Sequence, residues 1–266
     1  MRILLTNDDG IHAPGIAAMH AALEGLGEIM TVAPLTVQSA TSHGITFHEP
    51  LMTEEVVVND TMSGFAVDGR PADCVKLALR ALWAKKFGDD SRPDLVVSGM
   101  NSGANVGINV IYSGTVAAAI EAAFLGVPAI AVSLHIGDPA RTRYARAGAI
   151  ARTVIDKVLE YPIDPHSVIN INVPRTESDD RSMPAIRVVD MNKGAGTSQY
   201  ERRESPDGRD YYWAFGSGLD FEQTAGGSDV EVLLSGDVTV TPLDYDLTDH
   251  ARTSTWRERV EQPAGP

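Results

Sequence analysis

The chain has 266 residues, of which 43% are hydrophobic and 22% charged, so it can form one large or two small globular domains and is not wholly disordered. Its formal net charge is −14, which argues against a DNA or RNA polymer as main partner, because binding a phosphate backbone requires clustered lysine and arginine. Residues 201–250 contain 12 acidic and 3 basic side chains, so −9 of the −14 lies in this one stretch.

The first 175 residues alternate between strand-like and helix-like segments. In chain order the pattern predicts a strand at 2–6, a helix at 15–26, a strand at 29–33, a helix at 72–83 opened by Pro71, a strand at 95–98, a helix at 115–125, a strand at 129–134, a helix with apolar positions from 147 to 158, and a strand at 168–173. Such alternation is typical of βαβ units. It predicts an α/β fold, a Rossmann-like three-layer sandwich with a mostly parallel sheet.

The pattern changes after about residue 185. Strands are predicted at 186–191, 211–215 and 230–241, and polar loops rather than helices separate them. We therefore expect a Rossmann-like catalytic domain at residues 1–185 and a C-terminal β-rich arm at residues 186–266. The arm is interpreted as a small subdomain or an oligomerisation element.

Cysteine content and hydropathy limit the setting of the protein. The single cysteine, Cys74, excludes an intrachain disulfide and a multi-cysteine zinc site. The N-terminal apolar run is only three residues long and is followed by acids, so no signal peptide is predicted. No apolar stretch approaches the ~18–20 residues that span a bilayer. We expect a cytoplasmic protein with no membrane partner.

Two adjacent carboxylates, Asp8 and Asp9, follow the first predicted strand directly. Adjacent carboxylates repel each other and raise each other's pKa unless a cation lies between them. A hard divalent metal with oxygen ligands would supply that cation. A turn in which one aspartate caps the next segment is the alternative interpretation.

Two further loops are expected at the same edge of the sheet, because ligands of doubly wound folds bind beyond the carboxyl ends of the strands. The segment 98–107, SGMNSGANVG, combines small residues with Asn101 and Asn105, whose amides can bind a ligand. The segment 112–115, YSGT, opens a helix whose N-terminal amides and hydroxyls can hold an anion. A glycine-rich connector and an ordinary Ser/Thr cap are the alternatives.

Taken together, the three loops suit metal-assisted chemistry on a phosphate ester. There is no Walker A sequence, and no G-x-G-x-x-G follows the first strand. The sequence therefore argues against a P-loop NTPase and against an NAD-dependent dehydrogenase.

Four motifs carry a specific family resemblance: MRILLTNDDG, VDGRPADCVKLAL, SGMNSGANVG and IYSGTVAAAIEA. In this order they resemble the SurE family (survival protein E), which are metal-dependent nucleoside monophosphate phosphatases. The resemblance runs from residue 1 to about 173 and resumes weakly at 238–243 and 246–248.

The resemblance implies one divalent ion, Mg²⁺ or Mn²⁺, and a nucleoside monophosphate substrate. Its implied protein ligands are Asp8, Asp9, Ser39 and Asn101. The family's serine is usually followed by glycine, whereas Ala40 follows here. Residues that match positions around the phosphate are Ser42, Asn105, Ser113, Gly114 and Thr115. The family also implies homodimers or homotetramers that exchange C-terminal segments.

The predicted reaction is phosphomonoester hydrolysis, in which Asp8 and Asp9 are the catalytic residues. They would act as metal ligands that help a water attack phosphorus, or one of them would act as general base or as a nucleophile. A runner-up is an aspartyl-phosphate phosphatase of the haloacid-dehalogenase type, although that class expects Asp-x-Asp and a downstream lysine. A non-catalytic metal- or nucleotide-binding regulatory protein is the second alternative.

Overall fold

A computed structural model describes residues 1–178, 182–197, 199–216 and 218–261. The elements up to the fifth strand are β1 (Arg2–Thr6), α1 (Pro14–Leu23), β2 (Glu28–Pro34), β3 (Thr53–Val57), β4 (Ser63–Val67), α2 (Pro71–Leu77), a π-helical turn (Ala78–Leu82), α3 (Trp83–Phe87) and β5 (Leu95–Ser102). The remaining elements are α4 (Asn109–Tyr112), α5 (Gly114–Phe124), β6 (Ala129–Leu134), a 3₁₀ turn (Pro139–Arg141), α6 (Tyr144–Val158), β7 (Val168–Val173), β8 (Ile186–Val188), β9 (Gln199–Glu204), β10 (Asp210–Phe215), α7 (Asp229–Leu234), β11 (Val238–Leu243) and α8 (His250–Val260).

Nine strands form one sheet in the order β3-β4-β2-β1-β5-β6-β7-β11-β8, and β9 and β10 form a separate antiparallel ribbon. The six strands from β4 to β7 in this order are mutually parallel. Strand β3 runs antiparallel to β4, and β11 antiparallel to β7. The predicted Rossmann-like α/β fold with a mostly parallel sheet is confirmed.

Apolar side chains project from both faces of the sheet, and helices pack on both faces. Leu5 lies in the buried cluster that contains Ile16 of α1 and Ala151 of α6, whereas Leu4 lies in the cluster that contains Val75 of α2 and Ala119 of α5. Neighbouring residues of a strand point to opposite faces, so a parallel strand buried on both sides becomes a continuous apolar run. This explains why β1, β6 and β7 were predicted with the correct bounds.

The prediction of a single strand over residues 230–241 was wrong in its first half. Residues 229–234 form α7, and only β11 is extended. Val230 and Leu233, three positions apart, are the buried apolar residues of this helix. The β-branched valines favoured a strand, but a helix seats these two side chains against Val106.

The expected boundary at residue 185 does not coincide with an edge of the sheet. Strands β8 and β11, both from the segment assigned to the arm, are the last two strands of the main sheet. Among the described strands, only β9 and β10 lie outside it. The range given for the arm also includes residues 198, 217 and 262–266, which lie outside the described residues.

The order of the strands decides where loops converge. From β1 the chain moves to β2 and β4 on one side, and from β5 to β6 and β7 on the other. The carboxyl ends of β1 and β5, which are neighbours, therefore form the switch point at which doubly wound sheets bind ligands.

Among the described residues, no helix has the length and apolar character needed to cross a membrane.

Candidate active site

Asp8 lies at the carboxyl end of β1 and packs against the first turn of α5. A Cβ placed on Gly114 would stand 2.9 Å from the Asp8 Cβ and 3.1 Å from its Oδ2, so only glycine allows this approach. The Thr115 hydroxyl donates a hydrogen bond to Oδ1 of Asp8. Two of the predicted phosphate-binding positions thus hold the Asp8 carboxylate.

Asp8 is buried and carries an unfavourable charge. Burial raises its pKa from 3.8 to about 6; the Thr115 hydrogen bond opposes this shift and the neighbouring Asp9 charge adds to it. Within the described residues, no ion pair includes Asp8 or Asp9. The site therefore concentrates negative charge without a protein cation to balance it.

Asp9 reaches across to the loop at the end of β5. Its Oδ2 accepts a hydrogen bond from the Ser102 backbone N–H at 2.8 Å. Ser102 follows Asn101 directly, and the Asn101 side-chain amide donates to the Gly103 carbonyl at 2.8 Å. This bond turns the Asn101 Nδ2 toward its own loop and leaves its Oδ1 as the atom suited to a cation. Asp8, Asp9 and Asn101 thus come together at the switch point.

The loop after β2 brings Ser39 to the same edge. The Gln38 backbone N–H donates to the Asp8 carbonyl at 2.8 Å, which places Ser39 beside the acid pair, where it is exposed. Ser42 fixes the far side of this loop, since its N–H donates to the Tyr112 carbonyl at 3.1 Å and its hydroxyl to the Ile111 carbonyl at 2.8 Å. The Ser42 hydroxyl hydrogen is therefore used within the protein.

Backbone strain accompanies this loop. Ala40 has φ 56° and Ser42 has φ 54°, values in the left-handed region that residues with a Cβ rarely adopt. The strained Ala40 immediately follows Ser39, at the position where the SurE resemblance led us to expect glycine.

We expect Ala40→Gly to raise the free energy of unfolding by about 0.5–1 kcal/mol, because relief of the left-handed strain outweighs the extra freedom of the unfolded chain. Chemical denaturation measures it. Ala84→Gly, inside helix α3, is the matched control and is expected to lower the stability by about 1 kcal/mol. A loss of stability in Ala40→Gly comparable to that of the control would contradict the strain.

Asn105 is buried and bonded on three sides. Its backbone N–H donates to Asn172 Oδ1 at 2.8 Å, and its side-chain amide donates to the Ser133 hydroxyl at 2.8 Å. Its carbonyl accepts from Asn170 and Asn172, at 2.8 and 3.1 Å. Asn105 thus anchors the glycine-rich loop to β6 and β7. The signal that would have revealed this is the alternation of two asparagines in the apolar strand 168–173.

The first turn of α5 is capped from within. The Ser113 hydroxyl accepts a hydrogen bond from the Val116 N–H at 3.1 Å, which is the ordinary N-cap arrangement weighed as the alternative for this motif. Gly114 and Thr115 begin the helix beside Asp8. The helix N-terminus and its partial positive charge are therefore aimed at the acid pair.

The donor set fits a hard divalent ion. Asp8, Asp9, Asn101 and Ser39 supply carboxylate, amide and hydroxyl oxygens, which Mg²⁺ and related ions prefer. The described residues contain no cluster of three or more His, Cys, Asp or Glu able to hold a metal, which excludes a zinc-type cluster among them but not this oxygen set. A cavity of about 800 Å³, lined by Thr31, Gly64 and Lys85 among others, includes none of the predicted site residues.

The sequence profile named "Survival protein SurE" matches residues 3–197. The chain belongs to the SurE family. A 5'-nucleotidase SurE from Rhodopirellula baltica is 46% identical over 248 residues, which cover 93% of this chain and 94% of that protein. A 5'-nucleotidase SurE from Carboxydothermus hydrogenoformans is 41% identical over 267 residues, with 98% of each chain covered.

A solved SurE structure has the same fold. The crystal structure of the SurE protein from Aquifex aeolicus superimposes with a TM-score of 0.79 at 33% sequence identity and covers 97% of this chain and 99% of that chain. The similarity extends well beyond the segment in which the four motifs lie. The SurE resemblance drawn from those motifs is confirmed.

Proposed function

We propose that this chain is a 5'-nucleotidase that hydrolyses nucleoside monophosphates to nucleoside and inorganic phosphate. The observation that carries the proposal is the convergence of an acid pair, of which Asp8 is buried, with an asparagine loop and a helix N-terminus at the switch point. Relatives named 5'-nucleotidase SurE, 40–46% identical over nearly the whole chain, support the same conclusion.

The proposed cofactor is one divalent ion, Mg²⁺ or Mn²⁺, held by Asp8, Asp9, Ser39 and Asn101. The acid pair has no protein counter-ion among the described residues, and burial raises the pKa of Asp8, so a cation there relieves an existing charge imbalance. When bound, such an ion supplies positive charge to a phosphoryl oxygen and activates a water.

The chain's own groups provide orientation. Thr115 and the Ser102 amide each hold one carboxylate of the acid pair in a fixed direction. The backbone amides of the first turn of α5 lie where they favour an anion. We assign phosphate binding to this turn, at Ser113, Gly114 and Thr115, and to Ser42 and Asn105, which fix the neighbouring loops. A water or one of the two aspartates is the nucleophile. Trapping of a phosphorylated enzyme, with net retention of configuration at a chiral phosphorus, would identify the aspartate route, and net inversion without such an intermediate the water route.

Two alternatives make different predictions. An aspartyl-phosphate phosphatase of the haloacid-dehalogenase type needs a lysine at the acid pair, and none forms an ion pair there within the described residues. A metal- or nucleotide-binding regulatory protein would bind nucleoside monophosphate without turnover. For either activity, the cytoplasmic location of this chain stays a prediction from its sequence.

Purified protein assayed with a panel of nucleoside 5'- and 3'-monophosphates tests the proposal, with Mn²⁺, with Mg²⁺ and after chelation. We expect phosphate release with metal and its loss on chelation, restored by adding the ion back. Nucleotide binding without phosphate release would instead establish the regulatory alternative.

The proposed assembly is a homodimer or homotetramer formed through the arm. Both strands of the β9–β10 ribbon are exposed along their whole length, and Tyr211, Trp213 and Phe215 alternate onto one face. A two-stranded ribbon is marginally stable alone in water, and exposed aromatic side chains favour a partner surface. A second copy of the chain meets both requirements.

Removal of residues 199–215 is expected to reduce the mass in light scattering to that of a monomer while the main sheet remains folded. The flanking ends are close, since the Thr197 carbonyl lies 3.9 Å from the position of a Cβ on Gly216. Truncation near residue 187 is unsuitable, because it also removes β11 from the main sheet. An unchanged mass with an unchanged melting temperature would contradict assembly through the ribbon.

A further inference from the structure

Asp229, at the start of α7, is a fully buried carboxylate outside the proposed metal site. Its Oδ2 accepts a hydrogen bond from the Gly107 N–H at 2.8 Å. Its Oδ1 accepts from the Asn192 N–H at 2.8 Å and from the Val230 N–H at 2.9 Å. Gly107 ends the glycine-rich loop of the candidate site, and Asn192 belongs to the arm. One side chain therefore joins the loop to the arm.

An apolar contact accompanies these bonds. Val106, one residue before Gly107, is buried with Val230 and Leu233 of α7, and Phe221 packs against the same cluster. Gly107 has φ 55°, and a Cβ there would stand 2.9 Å from the Phe221 ring. The end of the loop thus packs against α7 and against the segments at residue 192 and residues 221–225, which we call the arm base.

The hydrogen bonds at Asp229 stabilise a charge that has no counter-ion. No ion pair among the described residues includes Asp229, and the three N–H groups oppose the effect of burial, which raises its pKa. Removing the carboxylate leaves the buried N–H groups of Gly107 and Asn192 without an acceptor. The loop and the arm base both depend on this one acceptor.

We propose that Asp229 is a positioning residue for the reaction, which fixes the end of the glycine-rich loop. The inference rests on the proposed function only for its kinetic consequence. Asn105 holds the middle of the loop on β6 and β7, and Asp229 holds its end, so Asn101 and the amides around it keep their positions relative to Asp9.

Asp229→Asn tests the role, with Asn192→Ala as the matched control. The asparagine retains one accepting oxygen for Asn192 and Val230 but presents an NH₂ group to the Gly107 N–H, so it releases the loop selectively. Within the described part of the chain, the Asn192 side chain donates to the Gln223 carbonyl and accepts from the Ala225 N–H, at 3.1 and 3.0 Å, and makes no hydrogen bond to the glycine-rich loop. Its removal loosens the arm base without touching the loop.

We expect Asp229→Asn to lower kcat about tenfold or more and to weaken Mn²⁺ binding in calorimetry several-fold, with little change in KM. Hydrogen exchange of a peptide covering residues 99–108 should accelerate. In Asn192→Ala, exchange should accelerate in the arm base instead, while kcat and Mn²⁺ affinity stay within about twofold. Equal kinetic losses in both variants, or unchanged exchange at 99–108 in Asp229→Asn, would overturn the positioning role.

Two further readouts keep the outcome decisive. If the wild-type protein releases no phosphate from any nucleotide, the proposed function fails, whereas exchange and Mn²⁺ calorimetry still test Asp229. If Asp229→Asn does not fold, Phe221→Leu removes the ring above Gly107 without changing charge. It is expected to shift exchange at 99–108 and kcat in the same directions by a smaller factor, and the absence of both shifts would refute the proposal.

Discussion

Replacement of Asp8 by asparagine is expected to lower kcat for nucleoside monophosphate hydrolysis by about 10³-fold at saturating Mn²⁺. The neutral amide retains the acceptor for the Thr115 hydroxyl, so the local fold is preserved. The variant loses the negative charge that helps to bind a divalent metal ion. It also loses any role of the Asp8 carboxylate as a base or a nucleophile. Steady-state kinetics with a metal titration measure both losses.

Asp90→Asn makes the same change of charge at an exposed position outside the site and is the matched control. Its kcat should equal that of the wild type. Full activity in metal-saturated Asp8→Asn would show that the acid pair is not the catalytic centre. A loss of kcat that higher Mn²⁺ concentrations restore completely would limit Asp8 to metal affinity.

The central strands of the sheet were predictable because they are buried on both faces, whereas the edge strand β3, which is mostly exposed, and its neighbour β4 were not predicted. β1, β6 and β7 are short apolar runs followed by turn residues or proline, and no helix of that length competes with this interpretation. The segment 230–241 shows the limit of such reasoning. Its valines have high strand propensity, but the contact with Val106, more than a hundred residues earlier, decides for a helix at 229–234.

The site was predictable as a set of loops but not as a set of contacts. Strand order places the ends of β1 and β5 side by side, and this follows from the alternation of elements. The direction in which each hydroxyl group donates its hydrogen bond does not follow from that alternation. Thr115 donates to Asp8, and Ser42 to the Ile111 carbonyl, because tertiary packing puts these acceptors within reach. Asp229 was missed for the same reason, since Gly107 lies 122 positions away.

The burial of Asp8 also predicts a stability that depends on pH and metal. Its pKa in the folded chain is about 6, above the ordinary value of 3.8, so the folded state binds this proton more tightly than the unfolded state does. The stabilisation by the proton is complete below about pH 3.8 and is lost as pH rises through about 6. At one pKa unit per ~1.4 kcal/mol, the metal-free protein at pH 8 should lack about 3 kcal/mol that Asp8 contributes in acid.

Metal-free Asp8→Asn should therefore melt several degrees above the metal-free wild type at pH 8, with a difference that shrinks between pH 6 and 4. Saturating Mn²⁺ should reverse the order, because binding to the folded wild type stabilises it while the variant has lost a ligand. Asp90→Asn should follow the wild type throughout. Scanning calorimetry across this pH range, with and without Mn²⁺, separates the two effects. If the variant were less stable than the wild type at pH 8 without metal, the charge of Asp8 would not destabilise the folded chain. The two effects share one cause, because the burial that makes the Asp8 charge costly without a cation also favours a cation beside it.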